Sequence, residues 1–212
     1  AGPPAQLRAR AGESEGDGLM RTLKELMNLG GRVALITGGA GHIGAAAAES
    51  LAELGAQVAL VDLDTERVRA AAARIGGAHD VRVEGFAADL EQEAALRGAA
   101  DQVRGAFGRL DILVNCAAFV GTSGLGGWSV PFAQQTTATW RRAMEVNLTA
   151  AFVLAQACAP ALAASGHGTI INVSSIYGAV GPDMRLYEGT AMGNPAAYAA
   201  SKGGLLQLTR WL

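Results

Sequence analysis

Short apolar runs alternate with longer amphipathic or alanine-rich runs along the chain from Gly31 onward. The apolar runs are continuous rather than alternating with polar residues, which is typical of strands buried on both faces of a sheet. They predict strands at 33–37, 57–62, 80–87, 112–115 and 168–174. The runs between and after them predict helices at 43–54, 65–75, 91–107, 136–164 and 195–211.

Regular alternation of strand and helix predicts an α/β fold with right-handed crossovers. We therefore expect a Rossmann-like, doubly wound parallel sheet with helices on both faces, giving three layers. No repeat or linker interrupts the pattern, so a single domain is expected over residues 20–212. Residues 1–19 are rich in glycine, proline and charge and can bury too little to offset their ordering entropy, which predicts a flexible tail.

Composition narrows the classes of function. Of 212 residues, 50% are hydrophobic and 17% are charged, and the net charge is −2 with both signs interspersed, so no nucleic-acid partner is expected. No apolar run approaches the ~18 residues of a membrane span, so no membrane partner is expected either. Cys116 and Cys158 have neither metal-ligand nor disulfide spacing. We expect no metal, and two buried, reduced thiols in a cytoplasmic protein.

A glycine-rich segment follows the first predicted strand and precedes a helix. Glycine allows a tight turn and close approach of the backbone to a pyrophosphate, and the helix N-terminus presents free N–H groups to it. This context predicts a dinucleotide-binding loop. Its expected cofactor-binding positions are Gly38, Gly41, His42, Ile43 and Gly44, with the His42 side chain at the surface.

Asp62 ends the second predicted strand, 21 residues after Gly41. A carboxylate there can accept hydrogen bonds from the adenosine ribose hydroxyls and would repel a 2′-phosphate, so NAD is expected in preference to NADP. Asp64, two residues later, is expected to play no part.

Tyr198 and Lys202 are four residues apart on a predicted helix and therefore share one face. A tyrosine with an ordinary pKa near 10 needs a shift of roughly 3 units to act as a base near neutral pH. An ammonium at ~4 Å supplies a shift of about that size.

These residues, taken together, resemble the short-chain dehydrogenases/reductases from Gly31 to the end of the chain. The glycine loop and Asp62 are similar to the family's cofactor loop and NAD-selecting acid. By the same resemblance, further positions are expected in the site. They are Asp89 and Leu90 at the adenine, Asn115 and Ala117 in the segment after the fourth strand, and a catalytic tetrad of Asn147, Ser175, Tyr198 and Lys202.

The resemblance implies a role for each member of the tetrad. Tyr198 would move the substrate proton, Lys202 would lower the tyrosine pKa and hold the nicotinamide ribose, Ser175 would polarise the substrate oxygen, and Asn147 would hold a relay water. Ser174 is the competing serine; Ser175 is preferred because the Ser-x-x-Gly register ends at Gly178.

The sequence also departs from the family. His42 stands where the commoner pattern has glycine, and Ala118 replaces a glycine. The gap between Ser175 and Tyr198 is long, and we expect either that Arg185, Tyr187 or Glu188 in its 182–195 segment contacts substrate or that the segment is an ordered surface loop.

The family usually continues with two more strands and a substrate-covering helical segment. The chain is therefore expected to be incomplete at its C-terminus, to lack the last strands of the sheet, and to be poorly active by itself. The apolar face of the last helix is expected to be exposed and to favour a homodimer or homotetramer in the full-length parent. That face comprises Leu205, Leu206, Leu208 and Trp211.

The expected function is an NAD(H)-dependent oxidoreductase (EC 1.1.1) that interconverts a small-molecule secondary alcohol and a ketone. Two alternatives stay open. The glycine spacing also permits an extended-type sugar-nucleotide epimerase or dehydratase, although the Tyr-Ala-Ala-Ser-Lys context argues against it. The other alternative is a non-catalytic NAD-binding subunit.

Overall fold

The computed structural model describes residues 22–121, 125–190 and 192–212, without the side chain of Lys24. The tail predicted at 1–19 lies outside the described residues. Within them, one sheet of parallel strands has the order β3-β2-β1-β4-β5. The strands are β1 (Val33–Thr37), β2 (Gln57–Asp62), β3 (Val83–Ala87), β4 (Ile112–Asn115) and β5 (Thr169–Asn172).

Helices connect these strands and cover both faces of the sheet. They are α1 (Leu23–Met27), α2 (His42–Glu53), α3 (Thr65–His79), α4 (Glu93–Phe107), α5 (Thr137–Met144), α6 (Ala150–Ser165) and α7 (Ala196–Trp211). Short 3-10 turns occur at Phe132–Gln134, Ile176–Gly178 and Met184–Tyr187.

Successive residues of each central strand point into two separate cores. Val33 and Leu35 of β1 pack in the core formed with α4 and α6, whereas Ala34 and Ile36 pack in the core formed with α2 and α3. All four are fully buried. The predicted doubly wound, three-layer α/β fold is therefore confirmed, and continuous apolar strands are explained by burial on both sides.

The strand order reverses direction between β1 and β4, because the chain crosses from β3 at one edge to β4 beside β1. Thr37 at the end of β1 lies opposite both Val61 of β2 and Asn115 of β4. In open parallel sheets, ligands bind in the crevice outside the carboxyl ends of the strands at such a switch point.

Three predicted elements differ from the structure by more than two residues or in kind. Helix α3 continues through Gly76 and Gly77 and ends at His79, where its C-cap Asp80 has φ +53°, so β3 begins only at Val83. The predicted helix 136–164 is α5 and α6 joined by a π-helical segment, Glu145–Thr149.

The continuous helix Thr137–Ser165 is long and apolar enough, by length and composition, to span a membrane. In this fold it is a core helix. Val153, Leu154, Cys158 and Leu162 of α6 are buried in the core with α4 and β4. Gln156 and Pro160 lie within the helix without ending it.

The expected exposed apolar face of α7 needs correction. Leu205 is only 1% exposed and Leu206 and Leu208 are partly buried, so Trp211 is the member of that set with a fully exposed side chain. The reason is that α7 packs against α5 and the π-helical segment, which cover the side of the helix carrying Leu205.

Candidate active site

A cleft of about 650 Å³ opens above the carboxyl ends of the central strands. It brings together most of the cofactor-binding positions predicted from the sequence. Those lining it are Gly38, Gly41, His42, Ile43, Gly44, Asp62, Asp89, Leu90 and Ala117. Among the described residues, no three His, Cys, Asp or Glu side chains are grouped as they would be around a metal ion.

The loop between β1 and α2 needs glycine for two different reasons. Gly38 has φ +67°, and a Cβ there would lie 2.8 Å from the Cα of Ala117. A Cβ on Gly44 would overlap the carbonyl oxygen of Gly38, because α2 begins directly against the loop. Gly41 is the N-cap of α2 and supplies no side-chain hydrogen bond. The first-turn N–H groups of α2 therefore face the cleft without a side-chain cap, as a phosphate site requires.

Asp62 holds this loop as well as facing the cleft. Its Oδ2 accepts a hydrogen bond from the Ala40 N–H at 3.0 Å, and its Oδ1 accepts one from the Leu63 N–H at 2.8 Å. Asp64 is the N-cap of α3, accepting from the N–H groups of Glu66 and Arg67. Asp64 thus starts α3 and also lines the cleft, whereas Asp62 is the acid that holds the glycine loop.

Thr37 joins the ends of β1 and β4 beneath the cleft. Its Oγ1 accepts hydrogen bonds from the N–H groups of Cys116 at 3.1 Å and Ala117 at 3.2 Å. Asn115 does not line the cleft; its Nδ2 donates to Asn172 Oδ1 at 2.8 Å, linking β4 to β5. The structure therefore separates Asn115, which supports the sheet, from Ala117, which faces the cleft.

Asn147 is 2% exposed and lies in the π-helical segment between α5 and α6. Its Oδ1 accepts from the Phe119 N–H at 2.6 Å, and its Nδ2 donates to Ser201 Oγ at 3.0 Å. A π-helical turn inside an α-helix is frequently found at functional sites. Here Asn147 connects the segment after β4 to α7.

Lys202 is also 2% exposed and is directed toward the end of β5. Its Nζ donates to the carbonyl of Val173 at 2.7 Å and lies 6.0 Å from the centre of the Tyr198 ring. Burial lowers the pKa of Lys202, and its interaction with Cys116 opposes that shift. Tyr198 and Lys202 are thus together on one face of α7, as the spacing predicts.

The two candidate serines have different surroundings. Ser174 donates its hydroxyl to the carbonyl of Lys202 at 2.9 Å, which ties β5 to α7. Ser175 Oγ accepts from the Tyr177 N–H at 3.2 Å. Gly178 packs on Lys202, where a Cβ would lie 2.6 Å from its backbone carbonyl carbon. The choice of Ser175 over Ser174 stays a prediction.

The long segment after Ser175 is tied back to the 3-10 turn Ile176–Gly178, which Ser175 caps. Tyr187 and Tyr177 are joined by a hydroxyl–hydroxyl hydrogen bond of 2.9 Å, and both side chains are partly buried. Arg185 pairs with Asp183 at 2.7 Å, and Glu188 is exposed. Of the three residues predicted as substrate contacts, Tyr187 is the one linked to the neighbourhood of Ser175.

Ten residues that line the cleft were not among the predicted cofactor-binding positions. They are Leu63, Asp64, Arg67, Glu91, Cys116, Ala118, Phe119, Val120, Arg142 and Val146. Arg142 Nε donates to Glu91 Oε1 at 2.6 Å, and its guanidinium lies 5.1 Å from the centre of the Phe119 ring. Those next to a predicted position, such as Glu91 after Leu90, could have been found from the sequence. Arg67 and Arg142 lie away from the predicted positions, so their spacing alone does not distinguish them.

The short chain dehydrogenase family model matches residues 32–212. This chain belongs to that family. It is 36% identical over 184 residues to D-threitol dehydrogenase of Mycolicibacterium smegmatis, a match that covers 87% of this chain and 64% of that protein.

Solved structures lead to the same assignment. NAD+-bound xylitol dehydrogenase matches with a TM-score of 0.74 and 31% identity, covering 86% of this chain and 64% of its own. A metagenomic short-chain oxidoreductase in complex with NADP matches with a TM-score of 0.73 and 38% identity. The match covers 86% of this chain and 75% of that oxidoreductase. The chain thus spans a little under two thirds of the length of D-threitol dehydrogenase and xylitol dehydrogenase.

Proposed function

We propose that this chain forms the NAD(H)-binding catalytic part of an oxidoreductase that interconverts a secondary alcohol and a ketone. The observation that carries the proposal is the placement of Tyr198 beside a buried lysine, Lys202, on α7. Lys202 interacts electrostatically with Cys116, which lines the cleft formed by the glycine loop. The uncapped α2 N-terminus and the glycine contacts at Gly38 and Gly44 fit a dinucleotide pyrophosphate.

The dinucleotide would be held at two ends of the cleft. Asp62 would accept the ribose hydroxyls of the adenosine half and disfavour a 2′-phosphate, so NAD is preferred over NADP. Lys202 would hold the nicotinamide ribose. When bound, the nicotinamide supplies hydride acceptance or donation.

The remaining chemistry belongs to the side chains. Tyr198 Oη takes the proton of the substrate hydroxyl in oxidation and returns it to the carbonyl oxygen in reduction. Ser175 Oγ hydrogen-bonds the same substrate oxygen. Lys202 supplies positive charge near the phenol ring, and Asn147 holds the segment after β4 against Ser201 of α7.

Small polyols are the first substrates to test, because both D-threitol dehydrogenase and xylitol dehydrogenase are named for polyols. Within this proposal, the assembled protein is a cytoplasmic homodimer or homotetramer. The exposed Trp211 on α7 supports a contact with another subunit.

The test compares the wild type with Tyr198→Phe. We expect the wild type to release NADH at a low but measurable rate with at least one polyol or alicyclic alcohol, and the variant to lose about 1,000-fold in kcat. NAD+ affinity, measured by calorimetry, should change little, because the phenol ring remains.

Three results would count against the proposal. NAD+ binding without turnover over the whole panel would favour a non-catalytic subunit. Conversion of a sugar nucleotide without NADH release would favour the extended-type activity. A Tyr198→Phe variant with full kcat would remove the assigned base.

A further inference from the structure

The first turn of α7, which carries Tyr198, is capped by a side chain from a distant part of the chain. Pro195 is the N-cap residue of α7 and makes no side-chain hydrogen bond to the helix. The N–H groups of a first helical turn have no partner inside their own helix. The first of them, on Ala196, donates to Gln135 Oε1 at 3.1 Å, across 61 residues of sequence. Gln135 therefore takes the place of the missing cap.

Both ends of the Gln135 amide are used. While its Oε1 accepts from the Ala196 N–H, its Nε2 donates to the carbonyl of Val130 at 3.2 Å. An N–H group needs an oxygen and a carbonyl needs an N–H group, so the two bonds together fix which way the amide points. The amide of Gln135, which is half-buried, thus joins the segment after β4 to the start of α7.

Two further contacts hold the same two regions together. Gly193 lies against Ser129, since a Cβ on Gly193 would be 3.9 Å from the Ser129 Cα. Ala197 of α7 is buried in a small apolar cluster with Trp128, and the side chain of Tyr198 packs against that cluster. The phenol ring therefore rests on the segment to which Gln135 ties the helix.

The two polar side chains of the proposed site on α7 are anchored separately. Tyr198 lies two residues after Ala196, in the turn that Gln135 caps. Lys202 lies one turn further on, and its Nζ donates to the carbonyl of Val173 after β5. Loss of the Gln135 cap therefore affects the position of Tyr198 more than that of Lys202.

We propose that Gln135 is a positioning residue for the reaction, and this rests on the proposed function. By capping α7 it sets where the Tyr198 hydroxyl meets the substrate oxygen. It touches neither substrate nor dinucleotide. A small displacement of a proton-transferring group slows the chemical step, whereas binding of a dinucleotide at the glycine loop does not depend on it.

The experiment separates kcat from binding in two variants of Gln135. Gln135→Ala should lower kcat by about tenfold, because a misplaced base costs rate, while KM and the Kd for NAD+ change by less than about twofold. Gln135→Glu keeps an oxygen for the Ala196 N–H and suits the positive end of the helix. It should restore kcat to within about threefold of wild type, each variant being measured at the pH of its own maximal rate.

The neighbours of Gln135 supply matched controls. Gln134 is exposed, and its side chain makes no hydrogen bond to the described residues, so Gln134→Ala should leave kcat unchanged. Thr136 Oγ1 accepts from the Thr139 N–H at 3.3 Å and thereby caps α5. Thr136→Ala should lower the midpoint of urea unfolding but leave kcat within about twofold of wild type, because it removes the cap of α5 and not that of α7.

Amide hydrogen exchange tests the cap without any turnover. The Ala196 N–H should exchange about tenfold faster in Gln135→Ala than in wild type and at the wild-type rate in Gln134→Ala. Unchanged exchange at Ala196 would overturn the inference, because Gln135 would then not hold the helix.

Kinetic results can overturn the inference in three ways. They are a wild-type kcat in Gln135→Ala, no recovery in Gln135→Glu, and an equal loss of kcat in Thr136→Ala, which would reduce Gln135 to general structural support. If Tyr198→Phe loses activity and Gln135→Ala does not, the inference fails and the proposed function stands. If the wild type has no turnover, the proposed function itself fails and the inference falls with it.

Discussion

The proposed dinucleotide end of the site and its proposed reacting end are built by different means. At the dinucleotide end, short turns after β1 and β2 bring backbone against backbone, and Gly38 and Gly44 are needed because any Cβ would collide. At the reacting end, the described parts of the connections after β4 and β5, namely 116–121, 125–136, 173–190 and 192–195, are held by side-chain hydrogen bonds. Examples are Asn147 to Phe119 and Gln135 Oε1 accepting from the Ala196 N–H at 3.1 Å.

This difference predicts two kinds of sensitivity. The dinucleotide end should tolerate almost no added atom, because its contacts are between backbones that cannot rotate away. The reacting end should tolerate changes of size more readily but respond to the loss of a buried polar group, which leaves its partner unsatisfied.

The largest effect on NAD+ affinity is expected for Gly44→Ala. The new Cβ forces α2 away from the Gly38 carbonyl, which disrupts the loop that would hold the pyrophosphate. We expect the Kd for NAD+ to rise by about 50-fold, measured by calorimetry.

Gly98→Ala is the matched control for this change. Gly98 lies within α4 and a Cβ there meets nothing within 4 Å. This variant should keep its NAD+ affinity and gain up to about 1 kcal/mol in stability. If Gly44→Ala and Gly98→Ala changed the Kd for NAD+ equally, the close backbone contacts at the dinucleotide end would not explain its sensitivity.

A smaller effect is expected for Tyr187→Phe, which removes one hydroxyl from the reacting end. Loss of the 2.9 Å bond to Tyr177 releases the segment that follows the 3-10 turn Ile176–Gly178. We expect KM for the substrate to rise by about fivefold with kcat and the Kd for NAD+ nearly unchanged.

Arg185→Ala serves as the comparison, because Arg185 belongs to the same segment but pairs with the exposed Asp183. It should change KM little, as expected of a surface ion pair. A larger change in KM for Arg185→Ala than for Tyr187→Phe would instead support direct contact of Arg185 with substrate.

The smallest effect is expected in the pH dependence of stability, and it comes from Cys158 in the core beneath both ends. Burial raises the pKa of Cys158 on α6 to about 12, from an ordinary value of 9.0. The folded state therefore holds the Cys158 thiol proton more tightly than the unfolded state does. This difference contributes fully to the free energy of unfolding well below pH 9.0, and the contribution declines as pH rises toward 12. At pH 9.0 the decline is about 0.4 kcal/mol, which urea unfolding can measure.

Cys158→Ala should remove this contribution to the pH dependence. Cys116, which lines the cleft, is the comparison for Cys158. Burial raises the pKa of the Cys116 thiol too, but the positive charge of Lys202 opposes that rise. An unchanged slope of stability against pH in Cys158→Ala would show that α6 is not the closed core that the contrast assumes.

Particular residues show where sequence reasoning was sufficient. Gly38, Asp62 and the Tyr198–Lys202 pair depend on local relations, namely a turn after a strand, the end of a strand and one turn of a helix. The structure places all of them as those relations require. The parallel sheet was also predicted, since it follows from the alternation of strand and helix along the chain, and the family was predicted from the resemblance of its motifs.

Other residues show where it was not. Leu205 looked like part of an exposed apolar face but is covered by the packing of α7. Asn115 bonds to Asn172 on the next strand, a contact that the sequence did not indicate, and its place at the cofactor stays a prediction. Arg67 drew no attention, because its place at the cleft depends on a hydrogen bond to Ala40, which is 27 residues away in the chain.

The sequence by itself determined the α/β layering, the glycine loop and the spacing of the tyrosine and lysine. These depend on periodicity and backbone sterics that act over a few residues. Only the tertiary structure decided which serine is tied to Lys202, where Asn147 is anchored and which arginine reaches the cleft. Those outcomes require side chains from distant segments to meet, and the distances between such segments are set by packing of the whole sheet and its helices.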